Sequence, residues 1–143
     1  MRINSEYRGW FPHEELTGDI IGAFFYVYNR LQFGFLESVY TTALARVLVR
    51  RGHQVRREVR VPIKFDGETI GYHRVDMIVD DKVIVETKTA LRFHPSSIAQ
   101  LLNYLRVTDF EVGLVLHFGP RAKYRRVACR NDEIQIEADP FDR

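Results

Sequence analysis

The chain has 143 residues, 45% apolar and 28% charged, with a formal net charge of +2. That length predicts one domain over 1–143 that buries about 70% of its unfolded surface. No run approaches the ~18 apolar residues of a membrane helix, the N-terminus lacks a signal-peptide core, and the lone Cys129 excludes an internal disulfide or a cysteine-cluster metal site. A cytoplasmic protein with no membrane partner is the expectation.

Residues 1–13 read as a loose arm. Thr17 is the predicted N-cap of a first helix, in which Ile20, Ile21, Phe24, Val27, Tyr28 and Leu31 recur at helical spacing until Gln32-Phe33-Gly34 breaks it. A second helix is predicted over about 35–51, with Leu36, Val39, Tyr40, Ala43, Leu44, Val47 and Leu48 as its stripe and Gly52 ending it. The period then becomes two. Val55, Val59, Val61, Ile63 and Phe65 are expected on one strand face, interrupted by Arg57; Asp66-Gly67 turns into a strand over 69–79, and Asp80-Asp81 turns into another over 83–89.

Pro95-Ser96-Ser97 opens a third helix with Ile98, Leu101, Leu102 and Leu105 as its apolar stripe. The run 112–116 reads as a strand buried on both faces, delivered beside its neighbour by a crossover through that helix. Short strands at 126–128 and 133–137 around Asn131-Asp132 complete the order. The fold class is α/β: a mixed central sheet flanked by helices, in the order α-α-β-β-β-α-β with a possible closing hairpin.

Asp76 and Glu86-Thr87-Lys88 lie on neighbouring strands of this meander. Alternation places Ile84, Glu86 and Lys88 on one face, and Val83, Val85 and Thr87 on the other. Acids inside an apolar hairpin are costly to bury without a partner. An ion pair between Glu86 and Lys88 is one answer. A metal is the other: Asp76, Glu86 and the Thr87 carbonyl are hard oxygen donors suited to Mg²⁺ or Mn²⁺.

Glu37, on an apolar helix face, is a candidate for a second metal or a metal-bound water, although an acid at a helix start also suits the dipole. Gln100 and Tyr104, four residues apart, share a helix face offset from the apolar stripe. His73 falls by alternation on the strand face opposite Asp76 and is not expected in the site. His117 and His94 are weaker candidates, and no pair of histidines has a zinc-ligand spacing.

Arginine outnumbers lysine 17 to 4. Arg46, Arg50, Arg51, Arg56, Arg57 and Arg60 form one cluster, and Arg121, Lys123, Arg125, Arg126 and Arg130 another. Either cluster alone could be a solvated face. Beside a candidate phosphodiesterase site they point to nucleic acid.

Gly34-Phe35-Leu36-Glu37-Ser38-Val39-Tyr40, followed by Val75-Asp76, Glu86-Thr87-Lys88, Gln100-Leu101-Leu102-Asn103-Tyr104 and Gly113-Leu114 before Phe118-Gly119, resembles the GxxExxY family of the PD-(D/E)XK nucleases. The likeness runs from about Leu16 to Val127. It implies a restriction-endonuclease-like α-β-β-β-α-β core over about 16–128 with an extra N-terminal helix. It also implies catalytic roles for Glu37, Asp76, Glu86, Lys88, Gln100 and Tyr104, and metal ligation by Glu37, Asp76, Glu86 and Thr87. The expected activity is Mg²⁺- or Mn²⁺-dependent hydrolysis of phosphodiester bonds in nucleic acid, DNA ahead of RNA, with a homo-oligomer or a protein partner supplying specificity. The alternative is a catalytically silent nuclease-fold module that binds nucleic acid or acts as an adaptor. The chain departs from the family pattern at Val75 (for proline), Tyr28 (for histidine) and His117 (for asparagine).

Overall fold

The structure, a computed structural model, describes residues 2–4 and 11–138, with the backbone alone at 2–4 and 138. Its elements in chain order are β1 (Arg2–Asn4), α1 (Glu14–Leu31), α2 (Glu37–Arg50), β2 (Val55–Phe65), β3 (Glu68–Val79), β4 (Val83–Lys88), α3 (Ser96–Val107), β5 (Val112–Phe118), β6 (Ala122–Arg130) and β7 (Glu133–Ala138). The strands form one mixed sheet in the order β1-β7-β6-β5-β4-β3-β2. The hairpins β2–β3, β3–β4, β5–β6 and β6–β7 are antiparallel, whereas β4–β5 and β1–β7 are parallel. This is the expected α/β architecture with its extra N-terminal helix. One part of the arm departs from expectation, since 2–4 pair with β7; residues 1 and 5–10 of that arm lie outside the described residues.

Three tight turns close hairpins with two successive residues at positive φ: Asp66-Gly67, Asn131-Asp132 and, ahead of Lys82, Asp80-Asp81. That twist matches the right-handed twist of paired strands, which explains the Asp, Asn and Gly found there. Between β4 and β5 the chain crosses over through α3, which packs so closely on β5 that a methyl group at Gly113 would lie 2.7 Å from Leu101 Cδ1.

Helices α1 and α2 cover one face of the sheet, where Phe24, Tyr40, Leu44, Leu48, Val83, Val85, Leu114 and Phe118 form the larger core. Helix α3 covers the other through Leu101 and Leu105 on Ile84, Val115 and Val127. Strand β5 is the middle strand and is buried throughout, as its continuous apolar run implies. Strand β3 lies one position from the edge. No helix among the described residues is long and apolar enough to cross a membrane.

Helix α1 begins three residues before the predicted cap. Glu14 and Glu15 fill its first turn, where carboxylates favour the helix dipole. Thr17 sits inside the helix with its hydroxyl turned back to the carbonyls of His13 and Glu14, and it accepts a 2.9 Å hydrogen bond from the buried Arg126.

Phe118, fully buried at the end of β5, ties both helices to the sheet. Its ring stacks on Tyr40 at 4.3 Å and meets Phe24 edge-on at 4.9 Å. Phe118→Ala is expected to destabilise the fold by about 3–5 kcal/mol. Urea unfolding measures this, and a loss under about 1 kcal/mol would contradict the packing described.

Candidate active site

Strands β3 and β4 pair from Val79–Val83 through Met77–Val85 and then part. Asp76 and Glu86 therefore face each other across the opening of a fork. The Thr87 amide donates to Asp76 Oδ2 at 2.8 Å, and the Thr87 hydroxyl donates to the same oxygen at 3.1 Å. From the other side the Thr41 hydroxyl lies 2.7 Å from that of Thr87, which fastens α2 to the fork. Glu37 is the first residue of α2, so fixing Thr41 one turn later brings the Glu37 carboxyl within hydrogen-bonding reach of Thr87 and close to Asp76 and Lys88.

The electrostatics follow from this crowding. Glu86 is 7% exposed, and burial, then the adjacent Asp76, push its carboxyl up to about 8. Burial and Asp76 also raise Glu37, against the lowering effect of Lys88 and the hydrogen bond to Thr87. Across the fork, Gln100 hydrogen-bonds Tyr104, whose hydroxyl is raised by burial and by the field of Glu86. All six sequence candidates, and Thr87, thus surround one opening.

Alternation misplaced one residue. The ring of His73 lies with Nε2 3.1 Å from Glu86 Oε1 and stacks on Tyr104 with centroids 3.4 Å apart. Burial, then Lys88, lower its pKa, so the ring is neutral near pH 7. The reason lies in a paired irregularity. Glu58 adopts φ 52, and no register pair joins it to Asp76 opposite. Below that level Val59, Val61 and Val75 face the α3 core; above it Val55, Met77 and Val79 face the α1–α2 core. Both strands reverse phase there, so His73 joins the side that Glu86 and Tyr104 share, and the predicted single face from Val55 to Phe65 is divided. A breach in the apolar alternation at Arg57 was the only signal in the sequence.

The other histidines contribute less. His117 is buried, in register with Lys88, and meets Phe93 edge-on at 5.5 Å. His94 is exposed ahead of α3. Tyr28 donates a 2.7 Å hydrogen bond to the Gly119 carbonyl, anchoring α1 to the β5–β6 turn.

The second arginine cluster is largely engaged within the protein. Arg126 pairs with Glu137 and Arg130 with Glu111, while Arg125 lies over the Phe93 ring. Among the described residues no group of three or more His, Cys, Asp or Glu side chains is arranged to hold a metal ion. A cation here would draw on two carboxylates, a backbone carbonyl and water, the donor set that Mg²⁺ commonly accepts.

The chain is thus a layered α/β sandwich whose strands β3 and β4 part around two acids and a lysine. The family model of the PD-(D/E)XK nuclease superfamily matches residues 14–127, and the chain belongs to that superfamily. Its members are typically hydrolytic nucleases that use divalent metals such as Mg²⁺. No curated protein matches the sequence. Among solved structures the chain is similar to the crystal structure of SSO0001, with TM-score 0.49 and 18% identity over 81% of this chain; it spans 59% of that one.

Proposed function

We propose that the chain is one metal-dependent nuclease domain of the GxxExxY family, hydrolysing phosphodiester bonds in nucleic acid, with DNA the preferred substrate. The observation that supports this most is the fork itself, where Asp76, Glu86 and Lys88 meet Glu37 from one face and Gln100 and Tyr104 from the other.

The donor chemistry fits a hard divalent cation. Burial, then the facing Asp76, keeps the proton on Glu86 to about pH 8 without a metal, against the lowering effect of Lys88. In an extended strand the N–H and C=O of one residue point to the same edge. The Thr87 amide points to Asp76, so its carbonyl also faces the gap beyond the last β3–β4 pair. Asp76, Glu86 and the Thr87 carbonyl would hold Mg²⁺ or Mn²⁺, with Glu37 holding a second ion or a bound water. Such a cation acidifies a water and offsets the charge that builds on the phosphate.

The protein's own groups do the rest. Lys88 would place a fixed positive charge beside a nonbridging oxygen of the attacked phosphate. Gln100 donates to the phosphate or orients Lys88, and Tyr104 offers a ring on which a base can stack. His73 is a positioning residue: it holds Glu86 through Nε2 and fixes the Tyr104 ring. His73→Ala is expected to weaken Mn²⁺ binding or turnover about tenfold, with His73→Gln recovering part of the loss. Calorimetry and a kcat-against-KM comparison measure this; equal metal affinity and kcat in wild type and His73→Ala would remove that role.

Cleavage of single- and double-stranded DNA and RNA with Mg²⁺ or Mn²⁺ tests the reading. A folded wild type that neither cuts these substrates nor binds millimolar Mn²⁺ would favour the silent binding or adaptor module.

A further inference from the structure

The first arginine cluster divides in two. Arg56 pairs with Asp81 at 2.8 Å, Arg60 lies 4.1 Å above the Tyr72 ring, and Arg51 lies over Tyr26. Arg46, Arg50 and Arg57 form no ion pair with any described residue. These three line a groove of about 630 Å³ between α2 and the start of β2, floored by Ala45, Val49 and Val55. Arg46 and Arg50 are one helical turn apart, about 6 Å along the axis, and Arg57 crosses from β2 to donate to the Thr42 hydroxyl at 3.1 Å.

The Thr42 end of the groove is the end nearer the fork. Thr42 follows Thr41, whose hydroxyl meets Thr87, which in turn holds Asp76. Glu37 lies five residues before Thr42 on the same helix, about 7.5 Å along its axis. A solvated cationic face would be convex or would carry neighbouring acids. This one is concave, and the nearby acids are engaged elsewhere: Glu58 with Arg74, and Asp81 with Arg56.

We propose that the α2–β2 groove is the subsite that holds one strand of nucleic acid as it enters the fork. Arg46, Arg50 and Arg57 take successive phosphates, and the apolar floor takes the sugar faces. Guanidinium groups bind phosphate oxygens bidentately, and three cations spread along and across one groove match a polyanionic strand better than a small anion. This inference rests on the nuclease reading for the identity of its ligand, but it does not require turnover.

The test is fluorescence anisotropy with labelled single- and double-stranded oligodeoxynucleotides in EDTA, at salt from 50 to 200 mM. The subjects are wild type, Arg46→Gln/Arg50→Gln/Arg57→Gln, the corresponding triple lysine variant, and a charge-matched control, Lys64→Gln/Lys82→Gln/Arg121→Gln. The groove variant is expected to bind about tenfold or more weakly than wild type, with a salt slope shallower by about two. The lysine variant should recover most of the slope, and the control should stay within a few-fold of wild type.

Equal affinity and slope in wild type and groove variant would overturn the subsite, as would an equal loss in the control. A wild type that binds no oligonucleotide overturns it too. A wild type that binds through the groove yet cuts nothing with Mn²⁺ would leave the subsite standing and remove the nuclease reading.

Discussion

Asp76→Ala and Lys88→Ala should each lower kcat/KM for nucleic-acid cleavage by on the order of 10³-fold while leaving the protein folded. Asp76 has two tasks in the fork. It offers a carboxylate to a cation, and its Oδ2 holds the Thr87 amide and hydroxyl that orient the neighbouring strand. Asp76→Asn keeps the shape and one acceptor oxygen while removing the negative charge, so it should be nearly as inactive as Asp76→Ala but more stable. Lys88→Arg should not restore the rate, because the broad guanidinium fork cannot occupy the place of a compact ammonium. Steady-state assays on a fluorogenic oligonucleotide would settle this. If both alanine variants stayed within tenfold of wild type, the cutting would come from another site or a contaminant.

Glu86→Gln should abolish a pH dependence of stability in the metal-free protein. In the folded state Glu86 keeps its proton to about pH 8, whereas in the unfolded chain it releases it near 4.5. Between those values the folded protein binds the extra proton, so raising the pH removes stability. Glu37, also raised, acts in the same direction. His73, lowered, acts in the opposite one, but only below its ordinary value of 6.5. From pH 6.5 to 8 Glu86 dominates, and wild type in EDTA should lose about 2 kcal/mol, a fall of roughly 6 °C in Tm. Glu86→Gln should show little of that fall and be the more stable protein at pH 8. Saturating Mg²⁺ should restore wild type most at pH 8, where a cation competes with the Glu86 proton most easily. Thermal melts with and without EDTA measure all of this; a flat wild-type profile would mean that Glu86 is already ionised at pH 6.5.

The larger features were legible in the sequence because they follow from period and local turn chemistry. The stripes of α1 and α3, the Tyr40–Leu48 part of the α2 stripe and the unbroken apolar run of β5 each announced which faces would be covered, whereas Leu36 and Val39, expected in the α2 stripe, are exposed where the helix begins. Asp66-Gly67, Asp80-Asp81 and Asn131-Asp132 announced the hairpins. The gathering of Glu37, Asp76, Glu86, Lys88, Gln100 and Tyr104 was legible only through the order of the motifs, since no spacing says that α2 and α3 approach the fork from opposite faces. His73 was lost because alternation assumes an unbroken strand, and the break at Asp76 depends on a partner residue, Glu58, on another strand. The parallel strand Arg2–Asn4 was lost because three residues are too few to show a period. The internal engagement of Arg126 was invisible for a different reason. Its partners Thr17 and Glu137 lie far from it in sequence or on the next strand, and composition counts charges without pairing them.

The phase reversal shared by β2 and β3 sets a limit on how the chain can vary. Strand β2 contributes none of the acids, yet its length between Val55 and Val59 decides which residues of β3 its second half meets. Loss of the single residue Glu58 would leave Val59 and Val61 facing the core under α3 by plain alternation, but would slide them one residue along β3 and break the pairing of Val59 with Val75 and of Val61 with His73. Substitutions along this edge strand are therefore tolerable where insertions and deletions are not. The count of residues in β2, more than their identity, keeps the two strands in register.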